Sequence, residues 1–417
     1  MSGPSISHLQ FIALCCFPNA ETSNHQVGVL NVCVGKFCRP YIIFTSQGAN
    51  SHGQLGTGDK SDRHEPCPVC VDSEVDLITG GGGHSLYAAG HQLFTCGLNT
   101  MNQLGRDDLE TMIFRPVFNK FDSPIRAVAC GWDFSLILTD DGSLFGLGSN
   151  ADNQLSVDNF KATSIPVGFC QLRHFQIPIS LPPVKCISAG LKHALAITNC
   201  GSIFTWGSNR RGQLGLTDRN THGAPITEFS EHFSNEEKPV DCACGAYHSA
   251  VLSDRGSIII WGDLKYFTSP ERNKCKTSTI RLDRSHFNDH VVVEITSGWN
   301  HMVALTESGA VFTWGRSNLH QLGRSHTIAD PSYDPVPAQV LFPERITKIA
   351  TGSEHSLAVD ASGRLWAWGW NEHGMCGVVG QQTYSTPQIV HIPSQSGNMA
   401  FVKRMGAGYG HSFAVIE

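Results

Sequence analysis

The sequence predicts an all-β fold, a seven-bladed β-propeller closed by pairing of its N- and C-terminal strands. Three observations carry this. Two short motifs recur in seven copies with a common phase, the runs between them read as strands, and the two ends of the chain supply complementary halves of one repeat. A repeat period of this length is the mark of stacked or radially arrayed units rather than of a single irregular domain.

The first motif is Gly-x-x-His followed by a small residue and an apolar run. Its glycines are Gly81, Gly131, Gly190, Gly245, Gly298, Gly352 and Gly408, at spacings of 50, 59, 55, 53, 54 and 56 residues; in the Gly131 copy Phe134 replaces the His. The second is an apolar strand that ends in Trp-Gly, often followed by x-Asn and then Gln-Leu-Gly. Its glycines are Gly48, Gly97, Gly148, Gly207, Gly262, Gly315 and Gly369. The distance from first to second motif is 17 residues in five units and 16 in the unit that starts at Gly81. Between the motifs lies a hairpin whose turn places Gly142, Gly256, Gly309 or Gly363 where positive φ is wanted. A Pro follows the second-motif Gly by 18 or 19 residues at Pro66, Pro116, Pro166, Pro225 and Pro387. Because Pro cannot donate to a ladder, it is expected at the entrance to an outer strand. Each unit therefore supplies about four short antiparallel strands, and a radial array of such sheets is a propeller.

The chain opens this pattern on the second motif and ends just after the first, at His411–Glu417. Tyr41–Gly56 is thus expected to pair with the C-terminal strand and leave no free edge. The domain reading is an atypical or poorly ordered extension over residues 1–40 and a propeller over 41–417. The unit at Gly48 has Gln47 where others have Trp, Cys or Leu. The unit at Trp261-Gly262 has lost both Asn and Gln-Leu-Gly, and its following segment 263–290 reads as an irregular basic loop.

Composition narrows the function. There are 30 Lys and Arg against 36 Asp and Glu, a net charge of −6, so no general attraction for nucleic acid is expected. The 15 Cys are odd in number and scattered, as free thiols in a reducing compartment would be. Cys67-Pro68-Val69-Cys70 is only half of a zinc site, and Cys242 and Cys244 stand too close to supply the rest; a closed site needs four ligands, so no metal or cofactor is expected. Phe11–Phe17 is a short apolar run with no Lys or Arg before it, unlike a secretory signal. No stretch approaches the roughly 18 apolar residues of a membrane helix. The expectation is a cytoplasmic monomer, with nuclear access, and without a membrane span.

Of the repeated residues, the His and the Trp of the two motifs are expected to serve the blade, since the fold repeats them. The imidazole is expected to tie its loop to its own strand, and the Trp to pack between blades. The two residues inside each Gly-x-x-His vary, so they are the candidates for recognition, on loops of one propeller face. Trp132, Tyr247, Trp299, Asn300 and Tyr409 give that set an aromatic character suited to a binding hot spot. No nucleophile–base pair stands outside the repeat, so covalent catalysis is not expected.

These motifs resemble the regulator of chromosome condensation repeat family, over residues 41–417. Three stretches, Ile78–Ser85, Cys130–Phe134 and Trp368–Gly377, resemble the branch of that family that regulates secretion through guanine nucleotide exchange. The resemblance implies a seven-bladed propeller that acts on a small GTPase by protein contact. The chromosomal member uses acids and His in these loops; by residue type, Asp133 and Glu354 match its acids and His301, His355 and His411 its His. Phe134 beside Asp133 breaks the Asp-His pairing. The long Gly148–Gly207 interval, with Ser156–Lys185, offers room for an inserted wedge such as the chromosomal member carries. The expected function is nucleotide exchange on a small GTPase in regulation of secretion. The alternative is a non-catalytic propeller scaffold in a vesicle-tethering or other multiprotein complex.

Overall fold

Strands of two to eight residues, bounded by turns and alternating in direction, fold into seven separate antiparallel sheets in this computed structural model. It describes residues 43–117, 120–155, 182–216, 236–269, 279–324, 332–392 and 400–417, and the backbone of 175–176. The chain divides into Met1–Tyr41, outside the described residues, and Ile42–Glu417, the propeller. Among the described residues no helix is long and apolar enough to cross a membrane.

Numbered along the chain, blade 1 is the closing blade: Val402–Ala407, His411–Ile416, Ile43–Gly48 and Arg63–Val69, from the axis outward. Blade 2 spans Leu77–Pro116, blade 3 Ile125–Gln176, blade 4 Val184–Gly207, blade 5 Pro239–Leu282, blade 6 Val292–Val340 and blade 7 Ile346–Ile389. Blade 4 shows three strands among the described residues and the others four. Closure is as the termini imply. Ile43 pairs with Ile416 and Gly48 with His411, in continuous register, and Phe44 stacks on Phe413 at 5.7 Å.

Sheet packing explains the apolar runs. The second strand of each of blades 3 to 7, such as His355–Asp360, is buried at every position because a neighbouring blade covers each face. Trp206, Trp261, Trp314 and Trp368 are fully buried in the clusters between blades, as their repetition predicts. The four hairpin glycines take φ of 84, 82, 84 and 78°, which L side chains avoid. The three described prolines of the repeat depart from expectation, and Pro116 is the last residue of the outer strand Glu110–Pro116 rather than its entrance. Pro66 and Pro387 lie within the outer strand, at a bulge where the ladder skips residues, rather than at its entrance. Pro166 and Pro225 lie outside the described residues.

The segment after Gly262 is also not the solvated loop expected. Leu264 and Phe267 are buried, Thr279–Leu282 is the outer strand, and a short 3₁₀ turn at Arg284–Phe287 packs Phe287 against Phe312 and Trp314. Residues 270–278 and most of the proposed wedge, 156–181 except the outer-strand backbone of 175–176, lie outside the described residues.

Candidate functional site

Both motifs end on one face of the propeller, the motif face, because the inner strand runs into Gly-x-x-His and the third strand runs out at Trp-Gly. The hairpins and the outer-to-inner connections occupy the other. Each signature His is buried, and its Nε2 meets a hydroxyl of the next blade. The pairs are His84–Ser135 at 2.9 Å, His193–Ser249 at 3.1 Å, His248–Ser297 at 2.9 Å, His301–Ser356 at 3.0 Å, His355–Ser412 at 2.8 Å and His411–Ser85 at 2.8 Å. The His therefore ties blade to blade rather than loop to its own strand.

Where the serine follows the next signature His, it donates onward to a backbone carbonyl. Ser85 gives its proton to Gln54 O at 2.7 Å and Ser249 to Gln213 O at 2.8 Å. The serine must then accept from Nε2–H, which fixes the tautomer. Burial pushes these imidazoles down, to about 4 at His193 and about 3 at the other five.

The same carbonyl takes the next blade's Trp. Trp206, Trp261 and Trp368 Nε1 donate to Gln154, Gln213 and Gln321 O at 2.7, 3.0 and 2.9 Å. Gln47 stands in the Trp position and does the same work, its Nε2 donating to Met375 O at 3.3 Å. The loop itself is wound around the Asn, whose Oδ1 accepts from the backbone five residues on, as Asn99 does from Leu104 N at 2.8 Å.

Two sets of backbone bonds fix the loops at the axis. The residue after each third-strand Gly donates to the second variable residue, for instance Ser149 N to Asp133 O and Trp370 N to Glu354 O, both at 2.9 Å. The first variable residues bond to one another around the mouth: Gly82 N to Trp132 O, Trp132 N to Leu191 O, Ala246 N to Trp299 O, Trp299 N to Ser353 O, Ser353 N to Tyr409 O, all at 2.8–3.1 Å. Their side chains close the axis. Trp132 lies 5.8 Å from Tyr409 and 6.2 Å from Trp299, and Trp299 lies 5.9 Å from Tyr409. Beneath this plug is a channel cavity of about 200 Å³ lined by the inner strands.

The structure brings the predicted residues together unevenly. Trp132 and Tyr247 are exposed at 45% and 42%, and Trp299, Asn300 and Tyr409 are half-buried at the mouth. Asp133 is half-buried beside them, its Oδ1 has no hydrogen-bond partner, and burial raises its pKa against the pull of Lys192. Glu354 is instead buried and engaged, with Arg316 Nη1 at 2.8 Å and Gln321 Nε2 on its other oxygen. His301, His355 and His411 are fully buried blade latches, so they do not stand on the face.

Of the cations at the rim, Lys192 stands at one of the variable positions expected to serve recognition, whereas Arg210 and Arg211 were missed. Lys192 and Arg210 lean on the buried Asp152 at 3.0 and 3.6 Å, and Arg211 lies over the Tyr247 ring at 5.9 Å. Arg210 and Arg211 sit in the Asn-to-Gln turn, and the only signal was that other units hold no such pair there. Among the described residues no cluster of three or more His, Cys, Asp or Glu is placed to hold a metal.

Residues 44–414 match the RCC1-like domain family, and the chain belongs to it. It is 35% identical over 413 residues to the mouse secretion-regulating guanine nucleotide exchange factor, covering 92% of this chain and 86% of that protein. To the bovine protein of the same name it is 36% identical over 403 residues, covering 89% and 82%. Among solved structures it is similar to human WBSCR16, at a TM-score of 0.77 and 20% identity over 90% of this chain and 99% of that one. Prp20p of Saccharomyces cerevisiae is similar at a TM-score of 0.71 and 19% identity, covering 91% and 92%. These two likenesses speak to the fold.

Proposed function

We propose, from its membership in the RCC1-like domain family, that this protein is a guanine nucleotide exchange factor that docks a small GTPase on its motif face. The observation that carries the activity is the similarity to two secretion-regulating exchange factors along about nine-tenths of the chain. What supports the face is its geometry: a rigid mouth with an exposed aromatic anchor, Trp132, beside the unpartnered carboxylate oxygen of Asp133. Exchange needs no covalent step. A small GTPase holds GDP through its phosphate loop, a Lys and Mg²⁺. A partner that binds the nucleotide-free form better shifts the equilibrium toward release.

Asp133 is the carboxylate placed to receive that Lys. Burial raises its pKa despite Lys192, Ser149 and Gln154, and its Oδ1 lacks a hydrogen-bond partner, so an approaching ammonium would favour the charged form that burial penalises. Glu354 is held by Arg316 and Gln321 and serves the loop instead. Trp132 and Tyr247 supply the apolar contact, and the Lys192–Arg210–Arg211 rim orients the approach. The same similarity supports a role in regulated secretion.

The test is release of fluorescent GDP from a panel of small GTPases. The expected result is acceleration with at least one. Trp132→Ala should cost about 2 kcal/mol, roughly thirtyfold in catalytic efficiency, and Asp133→Asn should lower the maximal rate more than the affinity. If no GTPase responds, the exchange reading fails. A stable complex that nucleotide does not alter would favour the scaffold instead.

A further inference from the structure

The inner strands of blades 4 and 5 bring two thiols together at the channel wall. Cys186 Sγ lies 3.7 Å from Cys242 Sγ. Cys186 is half-buried and Cys242 is buried, so the Cys186 sulfur is the more accessible of the two. The strands are held at this separation by neighbouring bonds: Cys244 N donates to Ser188 Oγ at 2.9 Å, and His193 meets Ser249 at 3.1 Å.

The fold does not require sulfur at either place. Four residues before the signature Gly, where Cys186 stands, other blades carry Leu77, Ala127, Asp241, Glu294, Lys348 and Arg404. Three residues before it, where Cys242 stands, they carry only apolar side chains such as Val128, Ile295 and Ile349. Closing the pair needs the sulfurs to move from 3.7 Å to about 2.05 Å.

We propose that Cys186 and Cys242 form a dithiol site that low-molecular-weight disulfides oxidise to an inter-blade disulfide. The Cys186 thiolate attacks one sulfur of the small disulfide, that S–S bond breaks, and one small thiolate leaves. The Cys242 thiolate then attacks Cys186 Sγ and displaces the second. The protein loses two protons and two electrons, and the small disulfide becomes two thiols. The bond would staple the strands that lead into the Lys192 and Tyr247 loops, so the motif face is under its influence. This proposal does not rest on the exchange reading.

The experiment uses the full chain, oxidised glutathione as the probe, trapping of free thiols with a maleimide, and peptide mapping without reduction. The expected result is a Cys186–Cys242 linked peptide and an intact mass lower by about 2 Da, both reversed by dithiothreitol. Cys244→Ser should keep the link. Cys186→Ala and Cys242→Val place residues that other blades already carry there, and each should abolish it. Recovery of both cysteines as maleimide adducts would overturn the proposal. So would a stable glutathione adduct on Cys186 with Cys242 free, or a Cys242–Cys244 pairing.

Discussion

At the residue scale the chain varies its own latch in a consistent way. Where the His is lost, at Phe134, the next blade has also lost the serine, at Ala194, and the two side chains pack together. Gln154 O still accepts Trp206 Nε1 and keeps room for a hydroxyl. Phe134→His alone should bury an imidazole without a partner, and Ala194→Ser alone a hydroxyl without its imidazole. The double variant should recover about 1 kcal/mol beyond the sum of the singles in urea unfolding; a coupling of zero would show that the latch is only packing. Gly352 shows the other half of the constraint. A Cβ there would meet His355 Cε1 at 2.0 Å, which is why the Gly and the ring recur together. The reading of the His as structural was legible because the fold repeated it. Its partner was not, because the serine belongs to the next unit, some 50 residues on. Comparing Phe134 with Ala194 would have given the clue.

At the element scale the unit of construction is the loop after the third strand together with the blade that follows it. Blade 5 lost Gln-Leu-Gly after Trp261-Gly262, and blade 6 records the loss twice. Trp314 Nε1 has no partner, and Met302 stands where a serine would receive His248, which turns to Ser297 instead. Phe267 moves into the vacated space, 4.5 Å from the His248 ring. This gives a differential prediction. Trp368→Phe breaks the bond to Gln321 O, whereas Trp314→Phe removes only an unsatisfied donor. With similar volume lost, Trp368→Phe should cost more by about 1 kcal/mol or beyond, read by urea midpoint at constant m-value; equal costs would mean the indole bond contributes nothing. Motif spacing made strands, hairpins and blade count readable here. What spacing could not show is which carbonyl a side chain reaches, so Gln47 looked like a defect although it replaces an indole donor. Glu354 looked free for the same reason, since Arg316 and Gln321 come from the preceding blade.

At the scale of the whole molecule the ring closes through two independent devices. The terminal strands pair, and the latches run from blade to blade, including His411 to Ser85 across the closure. Ring closure was legible from the complementary ends; the circuit of neutral imidazoles was not, since it depends on burial. That circuit makes stability depend on pH with a definite sign. The six His have folded values of about 3 to 4, below the 6.5 of an unfolded chain. The unfolded state therefore binds more protons once pH drops below that value. Their stabilisation is fully present above pH 6.5 and is lost as pH falls toward the folded values, by up to about 1.4 kcal/mol per group per pH unit. Four buried carboxyls run the other way. Burial and the neighbouring Asp241 raise Glu294 to about 7, and burial also raises Asp133, Asp241 and Glu354, so these groups favour the folded state in mild acid and offset part of the loss from the six His. The ordinary carboxylate value lies at about 4, so the fall expected across the interval from pH 6.5 to 5 is assigned to the latches. Thermal or urea midpoints should hold steady above pH 7 and fall steeply across that interval. His355→Phe, paired with Ser412→Ala to copy the Phe134–Ala194 interface, should flatten the fall by about one sixth. A midpoint unchanged between pH 7 and 5 would mean that these imidazoles reach solvent or take their protons without opening the ring.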